Sequence, residues 1–151
     1  MKAIVVLLAA NLNLCTQSFQ RSYAIVIGIN VYETNTRLQF ARADAASMAA
    51  FLKGQSYEVT ELYDRNAGRG AILDALDNIA QRATEHDRMI FFFAGHGVTL
   101  SRGGRDWGYI VPFDGRPQQA STLIGMEELQ TQSEKMGKAR PARTPKKVLD
   151  I

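Results

Sequence analysis

The apolar residues of this chain fall into blocks whose spacing changes from one block to the next. Residues 24–29 read Ala-Ile-Val-Ile-Gly-Ile, a continuous apolar run of the kind found in a strand buried on both faces. A turn-like stretch with Asn30, Asn35 and Thr36 follows. Ala45, Met48, Ala49 and Leu52 then recur at i, i+3, i+4 and i+7, one face of a helix that Gly54 closes. Residues 57–63 predict a second, more exposed strand near a sheet edge. The turn at 64–68 leads into a second helix with the stripe Ile72, Leu76, Ile79, Ala80 and Ala83. Residues 89–93 (Met-Ile-Phe-Phe-Phe) form the most apolar strand and run into Ala94, Gly95, His96 and Gly97.

The second half is looser. Residues 101–106 read as a Gly/Arg-rich loop, and 107–112 as a short extended piece, one arm of a hairpin. Met126, Leu129 and Met136 outline a third helix. Residues 137–145 form a basic linker with two prolines, and 148–151 (Val-Leu-Asp-Ile) look like the beginning of a strand. No internal repeat or low-complexity tract interrupts the pattern. Strand, helix, strand, helix, strand is the order of an α/β domain whose parallel sheet is flanked by helices. Such sheets gather their chemistry at the carboxyl ends of the strands. Two strand ends stand out, residues 28–30 (Gly-Ile-Asn) and 95–97 (Gly-His-Gly). Neither is a nucleotide loop, because no G-x-G-x-x-G or G-x-x-x-x-G-K-[ST] occurs.

The first residues stand apart. Met1 and Lys2 precede the apolar run 3–10, which is far below the roughly 20 residues that span a bilayer. The run resembles the apolar region of a signal peptide and points to export to the periplasm or medium. Leu12-Asn13-Leu14-Cys15 has a lipobox-like outline, but Leu14 stands where a small residue is wanted. The alternative is an N-terminal tail or extra strand of a cytoplasmic protein. Residues 1–22 are therefore a signal-like leader or tail, and 23–151 are the domain.

With 151 residues, 46% hydrophobic and 22% charged, the chain is one ordinary globular domain. Its net charge of +3 is local: Lys135, Lys138, Arg140, Arg143, Lys146 and Lys147 lie in one segment without an acid. No broad nucleic-acid footprint results. The single cysteine, Cys15, excludes an intrachain disulfide and a Cys-based zinc site.

His96 is the candidate for chemistry. A histidine between glycines, just past a buried apolar strand, sits at the rim where active sites form. The glycines let the backbone turn and approach a ligand closely, and an imidazole can act as a general base near neutral pH. The alternative is a histidine that caps the strand by hydrogen bonds without catalysis. Pairing His96 with His86 on a metal is disfavoured, because about a strand's length, roughly 25 Å, separates them. No metal or other cofactor is expected.

Residues 23–30, Leu38 with Ala43, Asp44 and Ala45, then 57–60 and 87–97 (Asp-Arg-Met-Ile-Phe-Phe-Phe-Ala-Gly-His-Gly) together resemble the caspase/metacaspase family of cysteine endopeptidases. Residues 109–114 (Tyr-Ile-Val-Pro-Phe-Asp) resemble that family's Tyr-hydrophobic-hydrophobic-Pro-x-Asp segment. The likeness runs from about Tyr23 to Ile151, covers the first part of the family's domain, and is closest to the bacterial branch. It implies a caspase-haemoglobinase-like parallel sheet flanked by helices, incomplete at about four strands. It also implies proteolysis of a peptide or protein substrate. His96 becomes the dyad histidine, and the N–H of Gly97 an oxyanion-hole donor. Asp44 resembles an acid lining the specificity pocket, which would favour a basic residue before the scissile bond. As a solvent-facing acid on the first helix it would have no such role.

The sequence departs from the family at the nucleophile. The family's cysteine follows a fourth strand in an Asp-x-Cys-x-Gly-like segment, and 148–151 resemble the start of that strand. Cys15 lies in the leader-like segment, and Ser101, Ser121 and Ser133 have no nucleophile-elbow context. The expectation is a caspase-like endopeptidase domain with its base but not its thiol, inactive as an isolated chain. A non-catalytic peptide- or partner-binding module and the truncated product of a disrupted gene are the alternatives. An exposed last strand would invite self-association or a complementing fragment.

Overall fold

The computed structural model describes residues 3–9 and 19–136. In chain order the main elements are β1 (Ala3–Ala9), β2 (Ser22–Gly28), α1 (Ala41–Gly54), β3 (Glu58–Tyr63), α2 (Arg69–Arg82), β4 (Arg88–Arg102), β5 (Arg105–Ile110), β6 (Ile124–Gly125) and α3 (Met126–Met136). The α/β class holds, and β3, β2 and β4 form its parallel centre, with Tyr23 opposite both Glu58 and Met89. β5 and β6 extend the sheet antiparallel, in the order β3-β2-β4-β5-β6. The sheet is fuller than the roughly four strands expected, because one strand is too short to read and another reads first as a leader and only alternatively as an extra strand. One is the two-residue β6. The other is the leader-like run, whose backbone forms β1 and pairs antiparallel with β4 from Ala3↔His96 to Ala9↔Ile90.

β2 and the first half of β4 are buried on both faces, as their unbroken apolar runs require. Tyr23, Ile25, Ile27, Phe91 and Phe93 pack on one side with Ile72, Leu76 and Ile79 of α2 and Leu129 of α3. Ala24, Val26, Phe92 and Ala94 pack on the other with Ala41, Ala45, Ala49 and Leu52 of α1. Each fully buried Ile or Phe contributes about 1.5–3 kcal/mol relative to exposure. The alanines of α1 let that helix lie close on the sheet. A Cβ at Gly28 would come within 2.5 Å of the Ala45 Cβ and 2.7 Å of the Ala41 carbonyl oxygen.

Neither α1 nor α2 carries a capping side chain at its own N-cap, Phe40 or Gly68. Residues from distant loops do that work instead. The Arg42 N–H donates to Asn30 Oδ1 (3.0 Å), and the Arg69 N–H donates to Asp114 Oδ1 (2.8 Å). Both bonds satisfy amides that a helix start leaves open.

β4 differs most from its sequence-based expectation. The chain does not turn at Gly95-His96-Gly97 but stays extended for another five residues, and the predicted 101–106 loop closes to a tight hairpin. Gly103 (φ 59°) and Gly104 (φ 75°) link Arg102 to its partner Arg105. Two successive positive φ values match the twist of the strands, and glycine supplies them without strain. The expected arm at 107–112 is β5. The basic linker 137–145 and the strand expected at 148–151 lie outside the described residues, and the flank of β4 at residues 90–96 pairs with β1.

Candidate functional site

His96 sits in the middle of β4, level with the carboxyl ends of β2 and β3, and is 2% exposed. The loop after β2 wraps around it. The His96 N–H donates to the Tyr32 hydroxyl oxygen (2.8 Å), and the two rings lie 4.9 Å apart, tilted by 43°. Nε2 lies 2.7 Å from the Thr36 carbonyl oxygen. A carbonyl oxygen can only accept, so Nε2 carries the proton, and in the neutral ring Nδ1 keeps a free lone pair. Nδ1 is buried with no hydrogen-bond partner among the described residues. The imidazole is thus oriented on one nitrogen, while the other is buried and unpartnered.

Tyr32 is 6% exposed. Burial raises its pKa well above the usual phenol value, against the opposing effect of its bond to His96, so it remains a neutral hydroxyl. Its position depends on Gly95, where a Cβ would come within 2.6 Å of both the Tyr32 hydroxyl and the Phe93 ring. Glycine here permits a close approach rather than a turn.

Backbone pairing fixes where Gly97 points. The Ala94 carbonyl accepts from Ile29 N (3.0 Å) and the His96 carbonyl from Val111 N (2.9 Å). Even-numbered backbone groups of this stretch therefore face β2 and β5, and odd-numbered ones face the β1 flank. The N–H of Gly97 points to that flank one residue beyond the end of the β1 pairing, Ala3↔His96.

The loop that supplies Tyr32 and Thr36 is pinned at its base. Asp64, in a left-handed conformation (φ 45°) just past β3, accepts from the N–H groups of Asn30 (2.8 Å) and Val31 (3.1 Å) and pairs with Arg42 (3.2 Å). Asn30 also donates to the Gln39 carbonyl (3.1 Å). A chain of contacts continues outward: Arg42 lies 5.7 Å from the Tyr63 ring centroid, the Tyr63 hydroxyl donates to Glu61 (2.6 Å), and Glu61 pairs with Lys53. Lys53, and after it Tyr63, hold the Glu61 carboxyl below its usual range. A cavity of about 560 Å³ opens beside Tyr32, lined by Val31, Glu33, Asp64, Arg65 and Phe113.

Asp44 occupies the first turn of α1 and is exposed. It stands on the helix that Asn30 caps, and no hydrogen bond or ion pair joins it to His96 among the described residues. His86 precedes β4 at the opposite end of that strand and pairs with Glu85 (3.6 Å), so the two histidines are not brought together. Sequence reasoning missed Tyr32 and Thr36. Thr36 contributes a backbone carbonyl, which leaves no trace in residue type. Tyr32 had a faint signal, an aromatic at the start of the polar stretch 33–37.

A buried α/β sheet presenting a histidine at its carboxyl edge defines a class, and comparison gives the family. The caspase-domain family model (Peptidase C14) matches residues 21–135, and the chain belongs to that family. No curated protein matches it. Among solved structures it is similar to the protein GSU0716 from Geobacter sulfurreducens, at 22% identity and a TM-score of 0.68. The alignment covers 77% of this chain and 46% of that one, so the chain spans about half the length of its structural relative. That likeness is one of fold. Among the described residues no helix is long and apolar enough to cross a membrane.

Proposed function

We propose that this chain is the base-bearing part of a caspase-type cysteine endopeptidase. The observation that carries this reading is the division of labour on the His96 ring. Nε2–H is fixed by the Thr36 carbonyl, and Nδ1 is left without a partner. A thiol placed within hydrogen-bond reach of Nδ1 would lose its proton to the ring and attack a peptide carbonyl. The ring would then return that proton to the leaving amine. The Gly97 N–H, directed to the β1 flank of β4 one residue past the pair Ala3↔His96, would meet the oxygen on which charge develops. Asp44, exposed on α1, would select a basic residue before the scissile bond.

Cys15, the one cysteine of the sequence, falls between β1 and β2 in chain order, and in this reading the thiol comes from another segment. The isolated chain is then inactive. Purified chain, mixed with a thiol-bearing second part of a related caspase-like domain, should cleave peptides with Lys or Arg before the cut. Cleavage should vanish in His96→Ala and lose its basic preference in Asp44→Asn. Hydrolysis by the chain alone that survives His96→Ala would overturn the reading. The near-complete burial of His96 favours one alternative, a peptide-binding module without catalysis, which would bind such peptides and never cut them in the mixture.

A further inference from the structure

A cavity of about 390 Å³ lies between β5 and the first turn of α3, a volume that suits a small ligand or a single long side chain. Neither His96 nor Asp44 lines it. Its walls repeat one kind of contact. Arg105 and Trp107 stand two apart on one face of β5, and the Arg105 guanidinium lies 4.9 Å over the Trp107 ring. The Arg69 guanidinium reaches both oxygens of Glu128, at 2.9 and 3.2 Å, and its Nε donates to the Leu123 carbonyl (3.0 Å). The cavity thus already holds two guanidinium groups, one on an aromatic face and one on a carboxylate.

One ring and one carboxylate are left over. Tyr109 stands on the same face of β5 as Trp107, and no other ring or cation lies over it among the described residues. Its partner in β6 is Gly125, so no side chain from that strand covers it. Glu127, exposed in the first turn of α3, has no partner for its carboxylate among the described residues. Asp106 accepts from the Ser101 hydroxyl, which neutralises nothing. Three carboxylates (Asp106, Glu127, Glu128) and two guanidiniums line the cavity, so one negative charge is in excess.

We propose that this cavity binds a guanidinium cation, the side-chain group of arginine, carried by a partner peptide or by a small molecule. The cation stacks on Tyr109 and pairs with Glu127, as Arg105 stacks on Trp107 and Arg69 pairs with Glu128. A guanidinium suits both contacts better than an ammonium, because it is planar, weakly hydrated and meets a carboxylate through two parallel N–H groups. The excess charge repels an anion. The inference does not rest on any peptidase chemistry at His96.

Trp107 is the one tryptophan of the sequence, so tryptophan emission reports on this cavity. Blocked arginine (N-acetyl-arginine methylamide), titrated into the full chain, should change that emission saturably. Blocked lysine should bind at least about threefold more weakly. Glu127→Gln and Tyr109→Leu should each weaken arginine binding about threefold, and added salt should weaken it as well. An Ala-Ala-Arg-Ala-Ala peptide that binds more tightly than blocked arginine assigns the cation to a partner protein. Equal or weaker binding assigns it to a small molecule, and either result upholds the site. No saturable change, an equal response to blocked lysine, or an undiminished response in Glu127→Gln would overturn the proposal. Glu127 is exposed, so its variant decides the matter even if Tyr109→Leu does not fold.

Discussion

The Thr36 carbonyl oxygen stands 2.7 Å from Nε2 of His96, and this contact sets the state of the whole ring. It makes the Nε2–H tautomer the neutral form, with the lone pair on the buried Nδ1. Long-range nitrogen–proton correlation of the imidazole should therefore find Nε2 protonated and Nδ1 bare. The reverse pattern would mean that the 29–38 loop does not hold the ring as described.

Tyr32 is the other half of that grip. Tyr32→Phe keeps the ring contact but leaves the buried His96 N–H without an acceptor, which costs about 1–3 kcal/mol. The melting temperature should fall, and the His96 amide proton should move upfield. A variant as stable as the parent would show that water or another group takes the place of the hydroxyl.

Gly95→Ala tests the close approach from the opposite side. Its new methyl meets the Tyr32 hydroxyl and the Phe93 ring at 2.6 Å, and overpacking of this kind costs about 1–3 kcal/mol. Tyr32 should be pushed off the His96 N–H, so this variant and Tyr32→Phe should shift the same amide. Their combined effect on stability should be less than the sum, as expected of neighbours that share one interaction. Full additivity would separate the two.

Asp87 governs the acid side of stability. Its side chain is almost wholly buried. Burial alone would raise its pKa, but the N–H and hydroxyl of Thr84 and the Arg21 guanidinium (3.1 Å) together hold the carboxyl below its usual value. A lowered native pKa means stability that is complete above the unfolded value, about 3.9. That stability is lost as pH falls through the native one. Asp87→Asn should melt lower at neutral pH, and the difference should shrink as pH is taken down past the carboxylate range. A constant difference across that range would remove Asp87 from the acid response.

Much of the sheet was legible because its signals are local. The unbroken run of β2 and the helical stripes of α1 and α2 each report their own burial. The failures share a cause. Gly95 and Gly97 read as chain breakers until β5 provides a ladder and Tyr32 a reason for the missing Cβ. The run 3–10 carries no mark of the strand it will pair with, 87 positions further on. Asn30 and Asp114 stood out in the sequence within segments that resemble the family. Only in space do they prove to be the caps of α1 and α2. At the site itself, His96 was readable as a residue type, whereas Thr36 acts through an oxygen that every residue possesses.

The length of β4 has a mechanical meaning. Its lower half is gripped by β2 and its upper half by β5, so His96 lies at midspan of a beam clamped at both ends rather than on a free tip. Bending at the hairpin, 67 residues beyond Thr36 in sequence, would be felt as torque at the ring. Tightening or cutting that distant Gly103-Gly104 turn is then a way to aim the imidazole without altering anything that touches it.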